Sequence, residues 1–343
     1  MNNTSTPISS PRTAAGFGRN RIIALVVLAV IFVVLAIVPL LTEGYWLTRL
    51  TDYFRYVILA VAWVLFSGPT GYMSLATAAF YGLGFYIAAV ANGPLPFVIV
   101  IILSGIAAFV VALGIGALTL RLRGVYFTIF TFAVVLLVNN VVLELERLVT
   151  GTRGRFVETE TVQVAYYAMF AVAILTLAVA YLIRRSRYGL ALQSIGEYEE
   201  AAAHSGINVV RTKVLIFASS AIFMAMAGAI IATQRTYIDP GIAFSLQSSF
   251  LPVLMAMFGG MGNLVGPVIG AVIFTELSDQ LVKYFPDLFM LIFGAVLILS
   301  IAFMPQGILG LGQQVWRRLR GGGGAGGAGK AVADGEGGRR APA

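Results

Sequence analysis

Charged residues fall in clusters along this chain, and the stretches between them run for long distances without any. Residues 22–42, 124–143, 161–183 and 214–234 are four such runs. Each is close to the ~20 residues with which a helix crosses a ~30 Å hydrocarbon layer. Two runs are longer. Residues 56–120 would reach roughly 98 Å as helix, about three crossings, and residues 240–275 roughly 54 Å, about two short ones. Gly68-Pro69-Thr70-Gly71 and Asn92-Gly93-Pro94-Leu95-Pro96 supply the breaks in the first, and Gly259-Gly260-Met261-Gly262-Asn263 the break in the second. A last run starts after Asp287 and leaves the membrane near Met304-Pro305. The alternating apolar–polar pattern of a membrane barrel is absent, so the spans are helices.

Lys and Arg in the short loops set the orientation. Arg12, Arg19 and Arg21 precede the first span. Arg121 and Arg123 form a second basic loop, and Arg184, Arg185, Arg187, Arg211 and Lys213 a third. Arg317, Arg318 and Arg320 follow the last span. The loops from Glu43 to Arg55, Glu144 to Glu160, Arg235 to Asp239 and Glu276 to Asp287 are mixed or acidic. Basic loops on the cytoplasmic side require an odd number of crossings in 56–120 and an even number in 240–275. The expected fold is therefore all-α, a polytopic transmembrane helix bundle of about ten membrane segments (8–10 if short pieces are re-entrant), with both termini cytoplasmic. Residues 1–21 form a cytoplasmic N-terminal tail, 22–304 the transmembrane domain with its long loop 184–213, and 305–343 a cytoplasmic Gly-rich flexible tail. The apolar stretch after Arg19 and Arg21 is too long for a signal peptide, and no small-x-small cleavage site follows Pro39.

Composition agrees and narrows the chemistry. Of 343 residues, 59% are apolar and 11% charged, too few charges to cover water-facing surfaces. With no cysteine and a single histidine, His204, thiolate nucleophiles and His-based metal sites have little to build on, and neither cofactor nor metal is expected. The net charge of +8 sits in topology-setting loops, where arginines meet anionic lipid, so it is no nucleic-acid signal. Gly324 to Lys330 has the spacing of a phosphate-binding loop, but Ala331 stands where a Mg²⁺-ligating Ser or Thr belongs, so the segment reads as low-complexity linker.

The loop 184–213 is far longer than the ~2–8 residues a helix–helix connection needs. Ser194 to Ser205 has good helix formers with Gly206 as a stop, predicting one short surface helix with Glu197, Glu199 and Glu200 near its middle. His204 there reads as a solvated bystander. Within the apolar runs, Ser74, Thr77, Thr128, Thr131, Asn139, Asn140 and Gln247 are the polar groups a transport path could use. Helix–helix hydrogen bonding is the plainer role for most hydroxyls among them. Ser74, Thr77 and Thr131 are the pathway candidates. The glycine breaks at 68–71 and 259–262 occupy corresponding places in the two halves, as an inverted repeat or tight packing by small residues would both require.

Glu200-Ala201-Ala202, then Gly206 and Ile216 at their spacing, resembles the loop by which permease subunits of bacterial ABC importers dock on a cytoplasmic ATPase. The family's Leu-Pro after the isoleucine is replaced by Ala218-Ser219. The stretch from Gly71 to Gly84, Leu120-Arg121-Leu122-Arg123-Gly124-Val125-Tyr126-Phe127, the run from Ser186 to Leu192 with Gly206-Ile207-Asn208, Gly259 to Pro267, and Pro305-Gln306-Gly307-Ile308 are similar, in order, to motifs of branched-chain amino-acid permeases. The Arg-Leu-Arg-Gly-x-Tyr-Phe turn resembles the LivM-type subunit. Urea-importer permeases are similar as well, and Ala76-Thr77 and Thr150-Gly151-Thr152-Arg153-Gly154 depart from the pattern.

This resemblance implies a non-enzymatic pathway for branched-chain amino acids in the bacterial inner membrane. Its expected partners are two cytoplasmic ATPase subunits, a LivH-type second permease and an extracytoplasmic substrate-binding protein. It assigns ATPase coupling to Glu200, Ala201, Ala202 and Gly206. A urea or short-amide importer differs only in cargo. An ion-coupled secondary transporter remains the rival of another class, although the uncharged runs hold no carboxylate to couple an ion.

Overall fold

The computed structural model describes residues 30–285 except Glu43, with isolated positions from 288 to 310. The expected tail 1–21, nearly all of the tail 305–343, the start of the first span and most of the last one lie outside the described residues. The chain forms α1 (Val30–Leu41), α2 (Tyr45–Thr70), α3 (Thr77–Ala91), α4 (Phe97–Thr119), α5 (Val125–Thr150), α6 (Val162–Arg185), α7 (Arg187–Glu197), α8 (Glu199–His204), α9 (Val209–Ala232), α10 (Pro240–Ala243), α11 (Leu246–Gly259) and α12 (Val265–Tyr284). Two short strands, β1 (Arg155–Phe156) and β2 (Tyr237–Ile238), pair antiparallel between α5 and α6 on one side and α9 and α10 on the other, a small departure from all-α.

Among the described residues, 7 helical stretches are long and apolar enough to cross a membrane: α2, α4, α5, α6, α9, α10–α11 taken together, and α12. The count of ten is not reached there. At 15 residues α3 is shorter than a full span, because the chain spends residues 71–76 in an extended segment first. Val98, Ile102, Ile106 and Val110 of α4 and Ile129, Leu137 and Val141 of α5 face outward, as helices bathed in lipid require.

The core forms around α9, where backbones approach closely through small residues. Ala218, Ala221, Ala225, Gly228, Ala229 and Ala232 are all buried on this helix. A Cβ at Gly84 of α3 would collide with the Ala225 carbonyl, and one at Gly228 with that of Tyr81. Gly259, Gly266 and Gly270 close the α11–α12 hairpin in the same way.

Loop contacts sort the connections to two ends of the bundle. At one end, Asn92 donates to the Glu158 carbonyl, β1 pairs with β2, and Glu146 accepts from Tyr86 and from the Gly154 N–H. At the other, Tyr72 and Lys213 meet Glu199, Arg123 meets Glu200, and Arg184 donates to the Gly262 carbonyl. We refer to these as the β-hairpin end and the elbow end.

Three loop expectations change. α2 begins at Tyr45, α5 runs to Thr150 and α12 to Tyr284, so Arg49, Asp52, Arg55, Glu144, Glu146, Glu276 and Asp279 lie on helices. The charges tolerate this because they pair: Arg49 with Glu276, Arg55 with Asp52 at 3.0 Å, and Arg155 with the buried Glu146 at 3.3 Å.

Candidate functional site

The break between α2 and α3 is built by local backbone chemistry. Pro69 ends the α2 ladder, and Gly71 adopts φ +71 and donates its N–H to the Ser67 carbonyl, closing the helix with a left-handed cap. Residues 71–76 then run back into the bundle, where a bare backbone needs partners. It finds them on neighbouring helices. The Trp63 indole donates to the Ser74 carbonyl at 2.7 Å, and Thr128 to the Met73 carbonyl at 2.9 Å. Thr131 accepts from the Leu75 N–H, and Ser249 accepts from the Ala78 N–H while donating to the Leu75 carbonyl.

The three pathway candidates thus divide. Thr131 is a tether, its hydroxyl used by Leu75 and by the Thr128 carbonyl. Ser74 and Thr77 line a cavity of about 10 Å³ with Ser67, Ser220 and the aromatic rings of Trp63, Phe66, Phe80 and Phe217. That volume admits about one water. The Thr77 and Ser67 hydroxyls are buried there with no hydrogen-bond partner. Asn139 is half-buried with its Oδ1 unpaired, Asn140 is exposed on the face of α5, and Gln247 lines a cleft at the β-hairpin end.

At the elbow end the single predicted helix is two. α7 ends at Glu197, Tyr198 is extended (φ −157), and α8 begins at Glu199. Gly196, in the last turn of α7, packs so closely on the Pro69 carbonyl of α2 that a Cβ has no room. α7 is anchored to the end of α2, and α8 turns away from it.

The turn gives Glu199 and Glu200 opposite surroundings. Glu199 faces inward: its carboxylate accepts from the Tyr72 hydroxyl at 2.6 Å and from the Lys213 ammonium at 3.0 Å. Arg123 stands 3.9 Å away, and the Lys213 ammonium lies 4.4 Å from the Tyr72 ring centroid. Burial pushes the Glu199 carboxyl up, but the bonds from Tyr72 and Lys213 and the nearby cations outweigh it and hold its pKa below the ordinary value. Burial and the adjacent carboxylate raise that of Tyr72. Glu200, Ala201 and Gly206 are exposed, with Glu200 3.4 Å from Arg123, whereas Ala202 is buried against the bundle. Gly206 holds φ +83, which only glycine adopts cheaply.

Among the described residues no group of three His, Cys, Asp or Glu could hold a metal. The sequence spacing singled out Glu200 but not the inward cluster of Tyr72, Glu199 and Lys213. Its members come from three separate segments, and sequence carries no signal of which neighbouring glutamate turns in.

The chain is a multi-pass helical bundle with a tethered break in its core and a surface elbow bound to that break. The chain belongs to the family described as branched-chain amino acid transport system / permease component, whose model matches residues 45–301. It is 24% identical over 288 residues, 74% of this chain and 67% of the relative, to the high-affinity branched-chain amino acid transport system permease protein LivM of Salmonella typhimurium. The Escherichia coli protein of that name is 25% identical over the same shares. The ribose import permease protein RbsC of Bacillus subtilis is 31% identical, over 34% of this chain and 39% of its own. No solved structure matches. The chain is therefore a multi-pass permease component of ABC-type transport and not an enzyme.

Proposed function

We propose that this chain forms part of the pathway of a bacterial inner-membrane importer for branched-chain amino acids, with the elbow end in the cytoplasm. Arg121, Arg123, Arg184, Arg185, Arg187 and Arg211 gather at that end, which supports this orientation by the positive-inside rule, with both termini on the same side. The β-hairpin end then receives substrate from a binding protein. Two ATPase subunits act on α7–α8 from below, and a LivH-type permease completes the channel. Cargo rests on the likeness to the two LivM proteins.

The observation that carries the mechanism is the Tyr72–Glu199–Lys213 cluster, which ties the elbow directly to the segment that breaks α2 from α3. A driver shifts a conformational equilibrium only by contacting the two states unequally. Here an ATPase that pulls on α8 pulls on residues 71–76, and with them on the closed cavity at Ser74 and Thr77. Exposed Glu200, Ala201 and Gly206 present the docking surface, with Glu200 available to a basic rim, while Ala202 seats α8 on the bundle. Loss of the orphan status of Thr77 and Ser67, each costing about 1–3 kcal/mol while buried and unbonded, favours the open state in which water or cargo reaches them.

Glu200→Arg tests this. The variant should insert and assemble normally but lose leucine uptake and substrate-stimulated ATP hydrolysis in proteoliposomes with its partners. Wild-type uptake by Glu200→Arg overturns the coupling role.

A further inference from the structure

A cleft of about 440 Å³ lies between α2, α11 and α12 toward the β-hairpin end, at the opposite end of α2 from the elbow. That is within the range of small-molecule sites, roughly 300–1,000 Å³. Its walls carry charges of both signs. Arg49, Arg55 and Lys283 are matched by Asp52, Asp279 and the adjoining Glu276. A net-neutral cleft with both signs fixed in place suits a ligand that is itself neutral overall and carries both charges.

The hydrogen-bonding capacity is unevenly used. Arg49 is committed to Glu276, with Tyr45 and Tyr53 on its other donors. Arg55 gives one terminal nitrogen to Asp52 at 3.0 Å, stacks its guanidinium 4.3 Å from the Tyr56 ring and also engages the buried Tyr81 hydroxyl, which leaves its buried Nε without a partner. The Ser278 hydroxyl is also buried and unpartnered. On the acidic side, Asp279 is 3.7 Å from Arg49, a loose pair, and half its side chain is exposed. Unused donors on α2 and α12 therefore stand in one cleft with an underused carboxylate on α12, and unpaired buried donors cost free energy that a ligand recovers.

We propose that this cleft binds the zwitterionic head of a free amino acid, with Arg55, Ser278 and Lys283 receiving the carboxylate and Asp279 the ammonium group. The site deepens the proposed importer function and rests on it for the direction of entry. The amino acid released at the β-hairpin end is held here before the 71–76 segment opens. The Tyr45 and Tyr56 rings and Val282 supply apolar wall for an aliphatic side chain. The same chemistry, an anion beside an ammonium, is carried by a phosphatidylethanolamine head group, so the test separates the two.

The full chain in nanodiscs of phosphatidylglycerol, with its permease partner, is titrated with radiolabelled leucine, and leucine uptake is measured in the complete importer. Asp279→Asn and Lys283→Gln are compared with wild type, both checked for folding by thermal unfolding. Lys283 makes no ion pair among the described residues, so its loss spares the helix contacts. Expected are leucine binding to wild type, competition by other α-amino acids but not by leucinamide or 4-methylpentanoate, and affinity about tenfold or more weaker in each variant. Wild-type uptake of leucine with binding unchanged in both variants overturns the site and leaves the importer reading intact. A wild-type importer that takes up no amino acid overturns the importer reading, and the site with it. Retention of one phosphatidylethanolamine per chain, lost in the variants while leucine does not compete, overturns the amino-acid site in favour of a lipid.

Discussion

Glu199 and Glu200 are adjacent in sequence and should fail in different ways. In Glu199→Gln the Lys213 ammonium, whose side chain is 1% exposed, loses the carboxylate at 3.0 Å, while the amide keeps the shape and can still accept from Tyr72. At an effective dielectric near 20, that pair attracts by about 5 kcal/mol before desolvation is counted. Removing one partner of a buried pair costs about 3–5 kcal/mol in comparable cases, because the other charge stays buried. Glu199 is 21% exposed, so water reaches part of the site, and the lower end, about 3 kcal/mol, is expected. The Arg123–Glu200 pair is 64% and 60% exposed, and Glu200→Gln should cost about 0–1 kcal/mol. The assay is denaturant unfolding in mixed micelles of the two single variants, Lys213→Met and Glu199→Gln/Lys213→Met. The double variant should recover most of the loss, since neither charge is left alone. Equal stabilities for Glu199→Gln and Glu200→Gln would refute the assignment of Glu199 as the inward anchor.

Three further outcomes follow from the same geometry. Because the Glu199 pKa is depressed in the fold, its contribution is fully present above the ordinary glutamate value of about 4.3 and disappears as pH falls through the lower folded value. Hydrogen exchange at α8 should rise in that acid range, and Glu199→Gln should abolish the pH dependence. Thr77→Val removes a buried hydroxyl that bonds nothing, so unfolding should show a gain of about 1 kcal/mol, while leucine uptake slows if the open pathway uses that hydroxyl. Gly84→Ala places a methyl against the Ala225 carbonyl where α3 crosses α9, and should cost more than 2 kcal/mol or prevent assembly, as size-exclusion profiles would reveal.

The parts of the fold that composition dictates were legible in advance. Helices follow from charge-free runs, since lipid leaves the backbone no other partner. Breaks at 71 and 260 follow from glycines that now show positive φ. Charge misled where it was taken to end a helix. Arg49 on α2 pairs with Glu276 and Asp279 on α12, and Arg55 with Asp52 on its own helix, so both helices continue past charges that would be costly if left alone. The spacing, at three to four residues within each group, was the available signal of one helical face. The tethers of the 71–76 segment were less accessible. Thr128, Thr131 and Ser249 are common residues in membrane helices, and their partners lie 55, 56 and 174 residues away in sequence.

α2 joins these features into one element. Its first turns carry Arg49 and Arg55 in the charged cleft, Trp63 in its middle grips the Ser74 carbonyl, and Pro69 in its last turn bears on Gly196 of the elbow. At 1.5 Å per residue its 26 residues extend about 39 Å, nearly the full depth of a bilayer with its interfaces. A helix so long moves most readily as a body, because its interior hydrogen bonds resist bending without a break, and its Pro69 lies beyond the Trp63 grip. In the proposed cycle, filling the cleft and docking at the elbow therefore act on the same rigid part, and proximity between the two sites is unnecessary. Spatial continuity alone does not demonstrate coupling. The decisive quantity is the interaction energy between Asp279→Asn and Glu200→Gln in leucine-stimulated ATP hydrolysis. If α2 transmits the signal, the double variant should depart from the sum of the singles, and Trp63→Phe, which removes the bond to Ser74, should abolish that departure. Strict additivity across all three positions would mean the cleft and the elbow work through separate elements.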